Sequence, residues 1–326
     1  MQPRVGFCGA GRIARFHANG FRAAGAVIAA FADPVQSSAE TVAAGYGARI
    51  YPDLTDMIAA EALDILCIAT PHHLHAPQAE TAMTAGLDVF LDKPLALTAR
   101  DGEELAAMAR RLGRIIGVNH NLLFHPAVDL ARDLIRDGKL GRIVSAMGWS
   151  TGWLTMAEHD FRLDRASTGG GAWFDAGPHL LYTLQDLVGP ISRVRAVAAA
   201  GESRLGGEDT VVATVSFAQG AVAALRISYA HVAPGSRLDW PMGWAQGIEI
   251  NGTKGAVRLV VSPVGKVDYF DGGTGDWHAL ATGLQFSASF DGCIADFLAA
   301  RSVGKTGRVG ADASVQILRL IGSALE

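Results

Sequence analysis

Between residues 4 and 118, short apolar runs alternate with stretches whose apolar positions recur every three or four residues, the written form of strands and helices in turn. Six strands are expected, at Arg4–Cys8, Val27–Ala32 and residues 48–51, 63–69, 87–91 and 114–118. Ile65-Leu66-Cys67-Ile68-Ala69 has no polar position, as a strand buried on both faces requires, so the sheet is expected to be parallel with helices on both sides. After Asn121 the rhythm changes. A helical period over Pro126–Arg136 ends at Gly138, and strand-like segments then dominate to about residue 270. Those at 194–200, Thr210–Phe217, 221–229, 248–251 and 256–261 are joined by short glycine turns, which predicts a large, mostly antiparallel open sheet. Helical patterns return at 289–300 and 312–325. An open sheet needs its second face covered by helices or by another subunit, so a homodimer or homotetramer formed through this sheet is expected.

The polar residues that follow the strands add chemistry. The first strand runs into Gly9-Ala10-Gly11-Arg12-Ile13-Ala14, a turn whose glycines let backbone N–H groups approach a pyrophosphate at a helix N-terminus. Asp33 ends the second strand, where a carboxylate bonds ribose hydroxyls and repels a 2′-phosphate, so NAD is expected rather than NADP. In parallel sheets ligands gather beyond the carboxyl ends of the strands, where this chain places Thr70, Pro71, His72, His73 and His75, then Asp92, Lys93 and Pro94, then Asn119, His120 and Asn121. Three close histidines invite a metal reading. Without a neighbouring thiol or carboxylate, bonds to backbone or cofactor amides fit better, and no metal is expected. The chain has five lysines, and Lys139, Lys254, Lys266 and Lys305 each adjoin a glycine, whereas Lys93 alone follows a buried strand. Such a lysine can stabilise negative charge on a substrate oxygen or pair with Asp92.

In the second half, Gly169-Gly170-Gly171 leads into Asp175-Ala176-Gly177-Pro178-His179. A helix would bring Asp175 and His179, four residues apart, onto one face, and an Asp that orients a His makes a general acid/base. Pro178 favours a first helical turn, which offers the plainer reading of Asp175 as an N-cap. Both readings can hold at once. Tryptophans 149, 153, 173, 240 and 244 also fall in this half, and Trp173 beside Asp175 is the best placed of them to meet a sugar ring.

Composition narrows the partners. With 49% hydrophobic and 18% charged residues, and a net charge of -4, the chain carries no basic stripe, so nucleic acid is not expected and a small molecule is. No apolar run reaches the length of a membrane span and no signal segment is evident, which predicts a cytoplasmic protein that does not bind membranes. Cys8, Cys67 and Cys293 are odd in number and far apart, as buried reduced thiols would be.

Taken in order, Gly9-x-Gly11-x-x-Ala14, Thr70-Pro71 with His75, Asp92-Lys93-Pro94, Arg162-x-Asp164, the triple glycine and Asp175-x-Gly177-x-His179 resemble the Gfo/Idh/MocA family, the glucose-fructose oxidoreductase and inositol 2-dehydrogenase group. The resemblance implies a Rossmann NAD(P)-binding domain over 1–120 and a substrate-binding and oligomerisation α/β domain with a large open sheet over 121–326. It further implies a catalytic set of Lys93, Asp175 and His179, and a cis Lys93-Pro94 bond. Cofactor contacts are expected from Gly9, Gly11, Arg12, Ile13, Asp33, Thr70, Pro71, His72, His75, Asp92 and Lys93. Substrate contacts are expected from Lys93, Asn119, His120, Trp153, His159, Arg162, Trp173, Asp175 and His179. Two departures stand out: Leu123-Phe124-His125-Pro126 replaces a family Arg-Phe-x-Pro, and Tyr182 and Thr183 stand where an acidic residue usually follows the histidine. The expected activity is hydride transfer between NAD and a secondary hydroxyl of a sugar, sugar derivative or polyol. The alternatives are a redox-neutral enzyme with tightly held NAD, of epimerase or glycoside-cleaving type, and a non-catalytic dinucleotide-binding regulator.

Overall fold

The computed structural model describes residues 2–154, 156–158, 160–230 and 244–325, and the chain divides into two compact units. The first comprises Met1–Asn121 with Phe290–Leu318, the second Leu122–Ser289 with Arg319–Glu326. Phe290–Leu318, late in the chain, thus belongs with the first unit.

In chain order the first unit begins β1 (Arg4–Cys8), α1 (Arg12–Ala23), β2 (Val27–Ala32), α2 (Gln36–Ala43), β3 (Arg49–Tyr51), α3 (Leu54–Ala60) and β4 (Ile65–Ile68). It continues through α4 (His75–Thr84), β5 (Asp88–Leu91), α5 (Ala99–Leu112) and β6 (Ile116–Val118). All six strands are parallel, in the order β3-β2-β1-β4-β5-β6. This is the doubly wound arrangement whose order reverses beside β1, the place where a dinucleotide lies. Local chemistry sets the helix ends: Thr98 caps α5 by accepting from the Asp101 N–H at 3.1 Å, and Gly113, at φ 62°, ends it in the left-handed conformation. Between sheet and helices lies an aromatic core in which Phe7 stacks on Phe31 and Phe90 meets both Phe21 and Phe297. Phe297 comes from the distal segment. Gly117 of β6 makes room for it, since a Cβ there would lie 2.5 Å from its ring.

The second unit opens with α6 (Pro126–Arg136), β7 (Ile143–Gly152), α7 (Arg165–Thr168) and α8 (Ala172–Val188). It then runs through β8 (Ile191–Ala199), β9 (Thr210–Phe217), β10 (Val222–Ser228), β11 (Trp244–Gly252), β12 (Gly255–Ser262), β13 (Gly265–Asp271) and β14 (Asp276–Leu284). The closing helices α9 (Ser287–Ser302) and α10 (Ala311–Gly322) each cross the division. The eight strands form one sheet in the order β14-β13-β12-β11-β7-β10-β9-β8, antiparallel except where β7 runs parallel to β10. β7, at the heart of the sheet, is not among the strands picked from the sequence. Its buried positions, Ala146, Gly148, Ser150, Thr151 and Gly152, are small or polar and do not read as a core strand. Gly148 explains part of this choice: a Cβ there would press to 2.9 Å from Leu225 and 3.4 Å from Leu180 of α8, so the glycine lets the helix lie close on the sheet. The opposite face alternates outward with Met147, Val197, Val212 and Val222, all exposed.

Candidate active site

Each unit carries its own cluster of polar residues. In the first, Gly9 sits at φ 90°, and a Cβ on it would meet the Ala69 carbonyl at 2.5 Å, so the turn after β1 admits only glycine. Gly11 is the N-cap of α1, with no side chain capping the helix and no acid in its first turn, which exposed Arg12 and half-buried Ile13 begin. Nothing lies within 4 Å of where a Gly11 Cβ would project. Asp33 closes the other side, its Oδ2 accepting from the Ala10 N–H and its Oδ1 from the Val35 N–H, both at 2.8 Å. A helix start without a side-chain cap, a cleared approach at Gly11 and a carboxylate at the end of β2 together fit a dinucleotide.

The loops after β4 and β5 are tied to each other by His75. Its ring is fully buried, with Nδ1 2.7 Å from the Pro94 carbonyl and Nε2 2.9 Å from the Thr70 carbonyl. Burial pushes its pKa below the ordinary value, so the neutral ring donates to one of them. Of the three histidines, His75 bonds backbone carbonyls through its ring and shapes the loop from within. His72 is buried beside it, Thr70 donates its hydroxyl to Gln78 at 2.6 Å, and Pro71 stays partly open. The Lys93-Pro94 bond is cis and the Lys93 side chain is buried. Next to it, Asp92 accepts from the Asn119 amide at 2.9 Å and lies 3.7 Å from Nε2 of His17, a buried α1 residue whose part the sequence did not suggest. Burial pushes the Asp92 carboxyl up, yet nearby His17, with Lys93 and Asn119, outweighs it and holds the group well below the usual carboxylate range.

Two expected substrate contacts lie elsewhere in the packing. Asn119 is engaged by Asp92, and His120 is buried with Nε2 2.6 Å from the Ser314 hydroxyl, joining the end of β6 to α10 inside the first unit.

In the second unit the triple glycine does not hold an anion from outside. It receives Glu208. A Cβ on Gly171 would fall 2.0 Å from the Glu208 carbonyl oxygen, and one on Gly207 2.6 Å from the Gly171 nitrogen, so two backbones pass at a distance that only glycines allow. Glu208 Oε1 then accepts from the Gly171 and Trp173 N–H groups at 3.1 Å each, and its carbonyl from Ala172 at 2.7 Å. This corrects the capping role considered for Asp175: the N-cap is Gly171, the capping carboxylate belongs to Glu208, and Pro178 stands inside the helix. Asp175 is released for other use.

Of residues 172–184 on α8, Asp175 and His179 keep partial access and the rest are buried. One turn apart, they form an open stripe on an otherwise enclosed helix. Asp175 Oδ2 accepts from the Tyr229 hydroxyl at 2.8 Å. Burial, and then the Asp175 charge, push the Tyr229 phenol well above its ordinary pKa, so it remains the donor. Arg162 joins this group. Its guanidinium grips Asp160 through Nε at 2.8 Å and Nη2 at 2.5 Å, and although burial works against its charge, Asp160 and Asp175 keep it protonated. His179 Nδ1 lies 2.7 Å from the Tyr182 hydroxyl.

The aromatic expectation changes place. Trp173 is 1% exposed and donates its indole N–H to the Ile321 carbonyl at 3.1 Å, so packing rather than a sugar ring occupies it. Trp153, 44% exposed, follows β7 in an isolated bridge to Ala230, next in sequence to Tyr229. His159 and Trp240 lie outside the described residues, as does the side chain of Trp244. At the family's Arg-Phe-x-Pro position, Leu123 is buried and His125 caps α6 by accepting from Ala127 N–H at 3.1 Å, burial having pushed its pKa down to about 4. Tyr229, just after β10, and Glu208, in the loop before β9, reach the site from distant parts of the chain and leave no local sequence signal. Tyr182, at helical spacing from His179, does.

Comparison with known proteins agrees with this layout. The profile described as "Oxidoreductase family, NAD-binding Rossmann fold" matches residues 3–120, and that of the "GFO/IDH/MocA C-terminal domain" matches residues 128–258. A 1,5-anhydro-D-fructose reductase of Ensifer adhaerens is 30% identical over 81% of this chain and 79% of its own. A D-apiose dehydrogenase of Paraburkholderia graminis is 27% identical over 77% of this chain and 66% of its own. Among solved structures, a levoglucosan dehydrogenase in complex with NADH and levoglucosan shares the fold with a TM-score of 0.87, at 21% identity over 99% of this chain and 96% of that one.

Proposed function

Because the chain belongs to the Gfo/Idh/MocA family of oxidoreductases with an NAD-binding Rossmann fold, we propose that it transfers hydride between NAD and a secondary hydroxyl of a sugar, sugar derivative or polyol. The observation that carries this reading is the open stripe of Asp175 and His179 on a helix buried everywhere else through its first three turns. The named activities of the sugar reductase and dehydrogenase relatives support the substrate class.

The N-terminus of α1 with Gly9 and Gly11 holds the pyrophosphate, Asp33 the ribose, and the Thr70-Pro71 turn flanks the cofactor. When bound, NAD supplies the hydride acceptor. His179 takes the hydroxyl proton at Nε2, and the Lys93 ammonium stabilises the charge left on the substrate oxygen. Asp175, fixed by Tyr229 and facing the Arg162 charge, holds the substrate hydroxyls beside the imidazole. Among the described residues, Asp160 and Asp175 face one guanidinium, a net negative balance that suits an uncharged polyol better than a carboxylate-bearing substrate. Trp153 offers its exposed ring to the sugar's C–H face. Asp33 favours NAD over NADP.

NADH formation, followed by absorbance over a panel of sugars and polyols, tests the reading. His179→Ala and Lys93→Met are each expected to lower turnover on the order of a hundredfold while NAD still binds. Wild-type turnover in either variant, or no NADH across the panel, refutes it.

The same proposal includes a homodimer or homotetramer joined through the outer face of the eight-stranded sheet, supported by the exposed row of Met147, Val197, Val212 and Val222. Val212→Asp should shift sedimentation toward the monomer. Its compartment is the cytoplasm, a reading supported by buried, unpaired Cys8, Cys67 and Cys293, which suit a reducing environment. No helix among the described residues is long and apolar enough to cross a membrane.

A further inference from the structure

Where the family's acidic residue would follow His179, the structure puts Tyr182 and Thr183 to use. Thr183 donates its hydroxyl to the His179 carbonyl at 2.7 Å, anchoring the backbone. The Tyr182 hydroxyl stands 2.7 Å from His179 Nδ1, the two rings meeting edge to face with centroids 5.7 Å apart. Tyr182 is buried in the core of the second unit, so its phenol is rigidly held, while His179 remains half open. We propose that Tyr182 is the positioning residue of His179: bonded to Nδ1, it fixes the imidazole so that Nε2 performs the proton transfer, as a neutral partner in the place of a carboxylate. The inference rests on the hydride-transfer reading.

The chemistry differs from that of a carboxylate partner in one respect. A carboxylate adds a full negative charge beside Nδ1, stabilises the imidazolium and makes Nε2 a stronger base. A phenol brings no charge, and its oxygen accepts from Nδ1–H both before and after Nε2 takes a proton. The ring's orientation is therefore held without a full negative charge beside Nδ1. Among the described residues, the charged groups around α8 are engaged with one another. Asp175, one turn earlier, is bonded by Tyr229 and faces Arg162, itself paired with Asp160. Of the elements packed on α8, β7 and β9 contain no titratable side chain, and Arg226 of β10 projects to the exposed face. On α6, Arg132 is taken by Asp129 and by Asp186 at 2.8 Å.

The test uses the full chain and histidine side-chain NMR, with the His179 signals assigned by their loss in His179→Gln. In the wild type, His179 should populate the tautomer protonated at Nδ1. Tyr182→Phe should release that tautomer into a mixture and lower kcat about tenfold with KM within twofold, which a packing role alone would not do. Tyr182→Glu should raise the His179 titration midpoint by a unit or more and carry the acid limb of kcat/KM with it. Identical tautomer, midpoint and kcat in the variants overturn the proposal. Should the glutamate variant fail to fold, Tyr182→Phe carries the test through tautomer and kcat. The spectra need no substrate, so spectra that change in a chain forming no NADH break the hydride reading, whereas NADH formation with unchanged spectra and kcat breaks the assignment of Tyr182.

Discussion

Two helices in this molecule begin at glycine-rich turns, α1 after Gly9-Ala10-Gly11 and α8 after Gly169-Gly170-Gly171, and the two turns do opposite work. At α1 the direction of a Gly11 Cβ is empty and no side-chain cap closes the first turn, which leaves room for a ligand. At α8 the direction of a Gly171 Cβ is filled at 2.0 Å by Glu208, whose carboxylate satisfies the donors from within. Both meet the positive end of a helix with negative charge. In one case the charge arrives with the cofactor, and in the other it is part of the fold. A run of glycines is thus no measure of phosphate binding; what occupies the space they clear decides.

Substitutions separate the two cases, and the largest effect is expected at the filled one. Gly171→Ala forces the Glu208 backbone away and should cost on the order of 3 kcal/mol, seen as a lower denaturation midpoint. An unchanged midpoint would mean that the two backbones are not in tight contact. Glu208→Ala leaves two N–H groups unsatisfied and should cost about 2 kcal/mol by the same measurement. At the open turn the balance inverts. Gly11→Ala should move stability by no more than about 0.5 kcal/mol, yet weaken NAD about tenfold, roughly 1.4 kcal/mol, by calorimetric titration. If stability fell and NAD affinity held, the comparison would be reversed. Smallest of all, Glu208→Gln keeps an acceptor and removes the charge, with an expected loss of about 0.5 kcal/mol, the share due to the helix dipole.

How much of this was legible in the sequence differs between the turns as well. The open turn could be read because its elements are local: a strand, two glycines, a helix, and Asp33 at the end of the next strand. The filled turn could not, since its cap comes from Glu208, far along the chain and with no pattern linking it to Gly171. Asp175 was accordingly weighed as a cap, and its phenol donor Tyr229, at the end of a remote strand, went unseen. Trp173 looked like a ligand contact for the same reason: its bond to the Ile321 carbonyl spans much of the chain. Periodicity found the parallel sheet because its central strands carry short runs of buried apolar residues between helical patterns. It missed β7, where close approach of α8 favours small residues over hydrophobic ones.

The first unit also has a consequence for how the protein is made. Phe290, Ile294 and Phe297 complete its core against Phe16, Gly20 and Phe90, yet a ribosome reaches them only after the whole eight-stranded sheet has been synthesised. Until then the nascent dinucleotide unit lacks that cover over α1 and β6, so its folding is expected to wait for the distal segment. A gene cut after Asn121 would make that condition permanent, and such a fragment is expected to aggregate rather than serve as an independent NAD-binding module.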